Sequence, residues 1–358
     1  MSRWLLDAPT RLGRSVGDII LAPVDEAGAD LLVVDVGARN GMYLLPASYA
    51  KRATLVGFEP NPDEYRKLVE NRTDAEKFFA RQGFAPPRFK ANRFYDCALW
   101  DRDGDQTLYI TRGAGACTLM GPVKPLMKDT YYLYREGHPG RNRSFHDLQA
   151  EVLSTEPIAC RTLDSLIPDH ETVDFLKIDV EGAELRCLRG AETLLSSGRV
   201  LFIQSEFQLM PYYDEHPLLG DQQRYLADRG FRLIDLVLDH PRYRRGDVDV
   251  PDASDRGMLM AGDAVFVRDP DAVKMTPLEL HRLAALALVF RFSAFGLSLL
   301  RDAKLLSPGE LDAVVQAIRE TPIKSWKGRL LERWAQFPVD AYATLQKVKS
   351  KLRTPVAG

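Results

Sequence analysis

Two apolar, β-branched runs in this chain end abruptly in acid and glycine. They are Leu32-Val33-Val34-Asp35-Val36-Gly37-Ala38-Arg39-Asn40-Gly41 and Phe175-Leu176-Lys177-Ile178-Asp179-Val180-Glu181-Gly182. A continuous apolar run of this length, without polar alternation, marks a strand buried on both faces, as in a parallel sheet. The same reading predicts strands at Leu31–Val36, Thr54–Phe58, Asn92–Leu99, Asp174–Asp179, Val200–Phe207, Arg232–Leu238 and Ala264–Val267. Helices are predicted between them, such as Glu184–Leu195 and His216–Arg229, with Gly198 and Gly230 as their stops. Asn61, Pro62 and Glu64 together spell a helix start with its own cap. Strands alternating with helices give an α/β fold with a mostly parallel sheet.

From Thr276 onward the pattern turns helical, opened by Pro277. Leu283 to Leu300 is dominated by apolar residues around a central Arg291. An arginine at the centre of a membrane helix costs roughly 2.5–3.5 kcal/mol. Ser293, Gly296 and Ser298 weaken a spanning segment further. A buried or dimerising helix is the expectation, and therefore a homodimer through the C-terminal helices, with interfacial membrane contact as the alternative.

At 358 residues the chain exceeds a typical single domain. The pattern divides it into a lead-in at 1–29, an α/β unit at 30–270 carrying an insert at 121–151, and a helical extension at 271–358. A formal net charge of −2 argues against a nucleic-acid-coating protein. Cys97, Cys117, Cys160 and Cys187 form no C-x-x-C pair, so neither a zinc site nor a disulfide framework is suggested. Met1 to Gly17 lacks a continuous apolar stretch, so no signal peptide is read and the cytoplasm is expected. The tail from Ile323 is basic, with Lys324, Lys327, Arg329, Arg333, Lys347, Lys349, Lys351 and Arg353. It reads as a solvated helix face or as a peripheral contact with an anionic membrane or glycan.

In an open α/β sheet, ligands sit beyond the carboxyl ends of the strands where the strand order reverses. The turn after the first strand has the spacing Gly37-x-x-x-Gly41, which lacks the third glycine of a dinucleotide fingerprint. No Gly-Lys-Ser/Thr follows, so a phosphate-cradling loop is excluded as well. The loop therefore suits an ammonium or carboxylate better than phosphates. Glu59 ends the next strand, about twenty residues on, where a carboxylate in a Rossmann-like unit accepts ribose hydroxyls. A ribose-binding acid without a phosphate loop points to S-adenosylmethionine, a nucleoside with an amino-acid tail. Its expected contacts are Asp35, Gly37, Asn40, Gly41, Glu59, Pro60 and Asn61, with Asp96 and Ala98 at the adenine edge. Gly113-Ala114-Gly115-Ala116-Cys117-Thr118 is a small-residue loop suited to closing over the donor.

Candidate chemistry lies at the second acid-tipped run. Lys177, Asp179 and Glu181 alternate with Ile178 and Val180, so their side chains project to one side while the strand lasts. Asp179 or Glu181 can take an acceptor proton or hold the donor's ammonium. Glu206 ends the neighbouring apolar strand and lines the same crevice. Asp179 and Glu206 could also chelate a divalent ion that lowers the acceptor's pKa, although no spacing demands a metal. His138 and His146 sit in the insert among Tyr131, Tyr132, Tyr134, Arg135, Arg141 and Arg143, a composition suited to an acceptor lid. Their imidazoles suit a base.

With these residues on the page, the chain resembles FkbM-type methyltransferases from about Asp30 to Arg268. The likeness rests on Val34-Asp35-Val36-Gly37-Ala38, Phe58-Glu59-Pro60-Asn61-Pro62, Ala98-Leu99-Trp100-Asp101, Arg161-Thr162-Leu163-Asp164-Ser165-Leu166, Lys177-Ile178-Asp179-Val180-Glu181-Gly182-Ala183-Glu184 and Ala261-Gly262-Asp263-Ala264-Val265-Phe266-Val267. The resemblance implies a class I methyltransferase fold, a Rossmann-like mixed seven-stranded sheet with helices on both faces. It also implies an enzyme using S-adenosylmethionine to O-methylate a hydroxyl, often on a sugar or polyketide-type product. Transfer to a nitrogen, or an inactive donor-binding partner in an assembly, stays open. An NAD-linked oxidoreductase is disfavoured by the missing third glycine.

Overall fold

The computed structural model describes residues 4–81, 86–128, 131–133, 143–144, 146–238, 243–245 and 258–321. Its strands are β1 (Leu31–Val36), β2 (Ala53–Phe58), β3 (Ala91–Tyr95), β4 (Ala98–Leu99), β5 (Gly104–Thr111), β6 (Tyr131–Leu133) and β7 (Arg143–Ser144). They continue with β8 (Val152–Arg161), β9 (Val173–Ile178), β10 (Val200–Gln208), β11 (Phe231–Leu238), β12 (Tyr243–Arg245) and β13 (Ala261–Arg268). A seven-stranded sheet runs in the order β11-β13-β10-β9-β1-β2-β3. β1 pairs in parallel with β2 on one side and β9 on the other, so the strand order reverses there. β13 runs antiparallel between β10 and β11, which gives the mixed sheet expected of a class I methyltransferase.

All six residues of β1 are buried, as the unbroken apolar run predicts. Val33 and Leu55 pack into one core with Leu5, Leu6, Ile19 and Ile20. Val34, Val56, Leu176 and Ile203 pack into a second core with Leu185, Leu188, Leu194 and Leu226. Each fully buried aliphatic or aromatic side chain contributes roughly 1.5–3 kcal/mol to this sandwich.

Leu283 through Val289 are all buried, and all but Ala287 belong to the first core, alongside Leu5, Ile20 and Val33. The first half of the apolar stretch, Leu283–Val289, is thus packed on the chain's own sheet. Arg282 fixes it there: its Nε and Nη2 each donate at 2.7 Å to the carboxylate of Asp174, which is fully buried at the start of β9. Among the described residues, no helix is long and apolar enough to cross a membrane. The basic tail from Ile323 lies outside the described residues.

Four predicted elements divide or shorten, each for a local reason. Leu283–Leu300 is two helices, Pro277–Val289 and Ser293–Ala303, separated at Arg291 in the left-handed region (φ 67°). Glu184–Leu195 is also two helices, Glu184–Arg189 and Glu192–Ser196. There Gly190 lies against Trp100, whose carbonyl oxygen would be 2.0 Å from an added Cβ, and Asp164 accepts the Thr193 and Leu194 N–H groups at 2.8 Å. A cap supplied from distant sequence is invisible to periodicity. Asn92–Leu99 splits because β3 joins the large sheet whereas β4 pairs with β8 in a three-stranded sheet with β5. His216–Arg229 shortens to a helix at Leu219–Ala227, begun by the Asp221 carboxylate accepting the Leu218 N–H at 2.9 Å. β6, β7 and β12 form a small third sheet.

Candidate functional site

The carboxyl ends of β1, β2, β9 and β10 converge, and their loops touch. The N–H groups of Gly37 and Ala38 donate to the Phe58 carbonyl at 3.0 and 2.9 Å, and the Asp179 N–H donates to the Val36 carbonyl at 3.0 Å. Gly37 has φ 83°, and an added Cβ would stand 2.0 Å from the Asp179 carbonyl oxygen. Glycine is required there by both conformation and space.

Asp35 is 1% exposed, and its nearest cationic neighbour is Lys177 Nζ at 3.5 Å. Burial raises its pKa, against the pull of Lys177. Lys177 also donates to Asp179 Oδ2 at 3.1 Å. Burial alone would lower the Lys177 pKa, but Asp179 and Asp35 outweigh it and the net direction is up. The lysine that the sequence placed among the catalytic candidates therefore joins the two acid-tipped strands.

Glu59 is 5% exposed at the tip of β2, and its Oε1 accepts the Asn61 N–H at 2.9 Å. Burial pushes this carboxyl up to about 7. Asn61 caps the helix Pro62–Val69 through its side-chain oxygen, as expected. Asn40 Oδ1 is buried without a hydrogen-bond partner, and Gly41 (φ 79°) packs beside Tyr43 and Leu68. Pro60 and the exposed Asp96 line a groove of ≈ 400 Å³ with Tyr65 and Ile158. Ala98 is set apart from them: it lies in β4 and packs with Trp100, Cys160 and Ala183.

The loop from Gly113 to Thr118 forms a roof. Asn61 Nδ2 lies 3.7 Å from Cys117 Sγ, and Thr118 Oγ1 donates to the Glu181 carbonyl at 2.8 Å. A Cβ on Gly115 would stand 3.1 Å from the Arg39 guanidinium. The roof thus spans from the β2 tip to the β9 tip.

On the other side, Asp179, Glu181 and Glu206 each place a carboxylate oxygen within 4.8 Å of the other two. Asp179 lies one residue past β9, and Glu181 occupies a left-handed turn (φ 55°). Burial, with Glu181 and Asp179 adding to it, raises the Glu206 pKa well above the carboxylate range. His138 lies outside the described residues. His146 lies in the helical turn His146–Ala150, whose Gln149 carbonyl accepts the Gly113 N–H of the roof at 2.9 Å.

Three neighbours were missed by sequence reasoning. Glu184, 1% exposed, accepts the N–H groups of Val180 and Gly182 at 3.0 and 3.1 Å, and burial pushes it up to about 7. It shapes the turn that presents Glu181. Tyr213 is 3% exposed, and its phenol is raised by burial and then by Glu181 and Glu206. His216 accepts the Tyr212 N–H at Nδ1 (3.0 Å), so its neutral form carries the proton on Nε2. Burial lowers it to about 4. The available signal was the aromatic and histidine run Pro211-Tyr212-Tyr213-Asp214-Glu215-His216-Pro217 just after β10.

The buried acid at β2 and the glycine turn at β1 stand together beside the strand-order reversal, with the Gly113–Thr118 loop across them. Residues 35–233 match the family model for the methyltransferase FkbM domain. No curated protein matches the chain. Among solved structures, it is similar to magnesium protoporphyrin IX methyltransferase (ChlM) from Synechocystis PCC 6803. That match has 11% identity over 71% of this chain and 78% of the other, with a TM-score of 0.31. An rRNA methylase from Streptococcus thermophilus is 10% identical over 71% of this chain and 94% of its own, with a TM-score of 0.29. The family match spans more than half of the 358 residues and includes β1, β2, β9 and β10 with their tips, so this chain belongs to the FkbM methyltransferase domain family.

Proposed function

We propose that this chain methylates a hydroxyl of a sugar, glycan or secondary metabolite seated above the ends of β9 and β10. As a member of a methyltransferase family, it uses S-adenosylmethionine as the methyl donor. The observation that carries the site assignment is the buried Glu59 carboxyl at the β2 tip, next to the strand-order reversal. A ribose diol offers the O–H donors such a carboxylate wants. The unpartnered Asn40 Oδ1 and Asp35 Oδ1 suit an ammonium.

The bound donor supplies a methyl group already activated on a sulfonium. The protein's part is to hold the acceptor oxygen in line and remove its proton. Placement is worth roughly 7–11 kcal/mol of barrier, and a general base contributes ~10²–10⁴-fold. Asp179 is the base in this reading. Its side chain is 43% exposed, open to an acceptor, and Lys177 holds its Oδ2. Glu181 and Glu206 stand beside it. In this reading the Gly113–Thr118 loop closes over the donor.

Incubation with methyl-tritiated donor and a panel of glycans and cell extracts tests the proposal. Label in an ether product supports it. Label on nitrogen would move the acceptor class, and binding without transfer to any acceptor would make the chain a donor-binding partner. The four free cysteines, with Cys97, Cys160 and Cys187 buried, suit the cytoplasm.

A further inference from the structure

We infer that the tips of β9 and β10 form a divalent-cation site from Asp179, Glu181 and Glu206, for a hard ion such as Mg²⁺, Mn²⁺ or Ca²⁺. One oxygen from each carboxylate lies within 4.8 Å of the other two. Oxygens that share an ion at roughly 2.0–2.6 Å stand no more than about 4–5 Å apart, so small side-chain rotations complete the shell.

Two buried oxygens without partners, one of them in the cluster itself, point to a cation. Glu206 Oε2 is buried with no hydrogen-bond partner. Gln208 is 3% exposed, and its Oε1 is likewise without a partner. The period of two along β10 puts Gln208 on the same face as Glu206, one step further towards the loop ends. Buried polar oxygens are normally satisfied, and an amide oxygen is an ordinary ligand for a hard cation. Among the described residues, Lys177 Nζ is shared between Asp35 and Asp179. Asp263, opposite Glu206 in the β10–β13 pair, adds negative charge. His216 stays outside the ligand set because its Nδ1 accepts the Tyr212 N–H.

The ion's role, drawing an acceptor oxygen close and lowering its pKa with Asp179 then a ligand rather than the free base, rests on the proposed methyl transfer; its binding does not. The full chain is titrated with MnCl₂ by calorimetry and electron paramagnetic resonance, with and without S-adenosylhomocysteine. One ion per chain is expected. Glu206→Gln should weaken it by at least the ~10–100-fold typical of a lost outer-shell partner, while Asp169→Asn, an exposed acid remote from the cluster, leaves it unchanged. Thermal unfolding and S-adenosylhomocysteine binding by Glu206→Gln show that the variant is folded. Absence of bound Mn²⁺ in a chain that binds S-adenosylhomocysteine overturns the site but spares the methyl-transfer reading. Equal Mn²⁺ affinity in Glu206→Gln overturns it too. Mn²⁺ binding without nucleoside binding supports the site and removes the donor assignment.

Discussion

Donor affinity is expected to follow the ionisation of Glu59. In the free protein, burial pushes this carboxyl up to about 7. Hydrogen bonds from a ribose diol favour the charged form and draw the pKa back towards its ordinary 4.5. Complete return would be worth about 3.4 kcal/mol, at 1.36 kcal/mol per pH unit, or about 300-fold in affinity. S-adenosylhomocysteine should therefore bind with constant affinity above pH 8 and lose strength, by up to tenfold per pH unit, below pH 7. Calorimetry at pH 6 in buffers of different ionisation heat should show close to one proton released on binding, and almost none at pH 8. Glu59→Gln removes the titration, flattens the pH profile and weakens binding at pH 8 by roughly 1–3 kcal/mol. The sign for folding is opposite. A raised carboxyl stabilises the free protein below about pH 4.5 and loses that contribution as pH rises through about 7. Glu59→Gln should thus be more stable than the parent at pH 8, by up to about 3 kcal/mol, and not at pH 4. Equal proton release by both proteins would refute the ribose assignment.

Asp179→Asn is expected to keep the fold and donor affinity while lowering turnover by at least ~10²-fold, measured with methyl-tritiated donor. Gly37→Ala meets both a φ of 83° and the Asp179 carbonyl, so it should cost more than about 1 kcal/mol in urea unfolding and weaken S-adenosylhomocysteine binding. Arg282→Met strands the Asp174 carboxylate in the core and should cost about 3–5 kcal/mol by the same assay. His216, lowered to about 4 by burial, gives stability that is present above about pH 6.5 and is lost as pH falls towards 4; His216→Gln should remove that slope from acid unfolding curves.

The large sheet was legible in the sequence because β1 and β9 are mostly apolar, without regular polar alternation, a pattern few other arrangements bury. Glu59 and Asp179 were legible for a related reason, since an acid closing such a run has few places to be except a strand tip. The breaks inside helices were not. Gly190 turns against Trp100, and Asp164 caps the following helix, through contacts that short-range periodicity does not encode. The burial of the C-terminal helix was half legible. Its apolar stretch asked for a partner, and for Leu283–Val289 the first core and the Arg282–Asp174 pair show the chain's own sheet in that place. Glu184 read as an ordinary helix start, yet its carboxylate holds the turn that aims Glu181. Tyr213 lay in a loop without periodicity, where spacing says nothing of burial, and His216 read as the first residue of a helix that in fact begins at Leu219.

A crystal structure with bound S-adenosylhomocysteine tests the donor slot most directly. Both ribose hydroxyls are expected within hydrogen-bond distance of the Glu59 carboxylate, beneath the Gly113–Thr118 loop, with the sulfur facing Asp179. A nucleoside found outside the β1–β2 loops, or with its ribose turned from Glu59, would contradict the central claim.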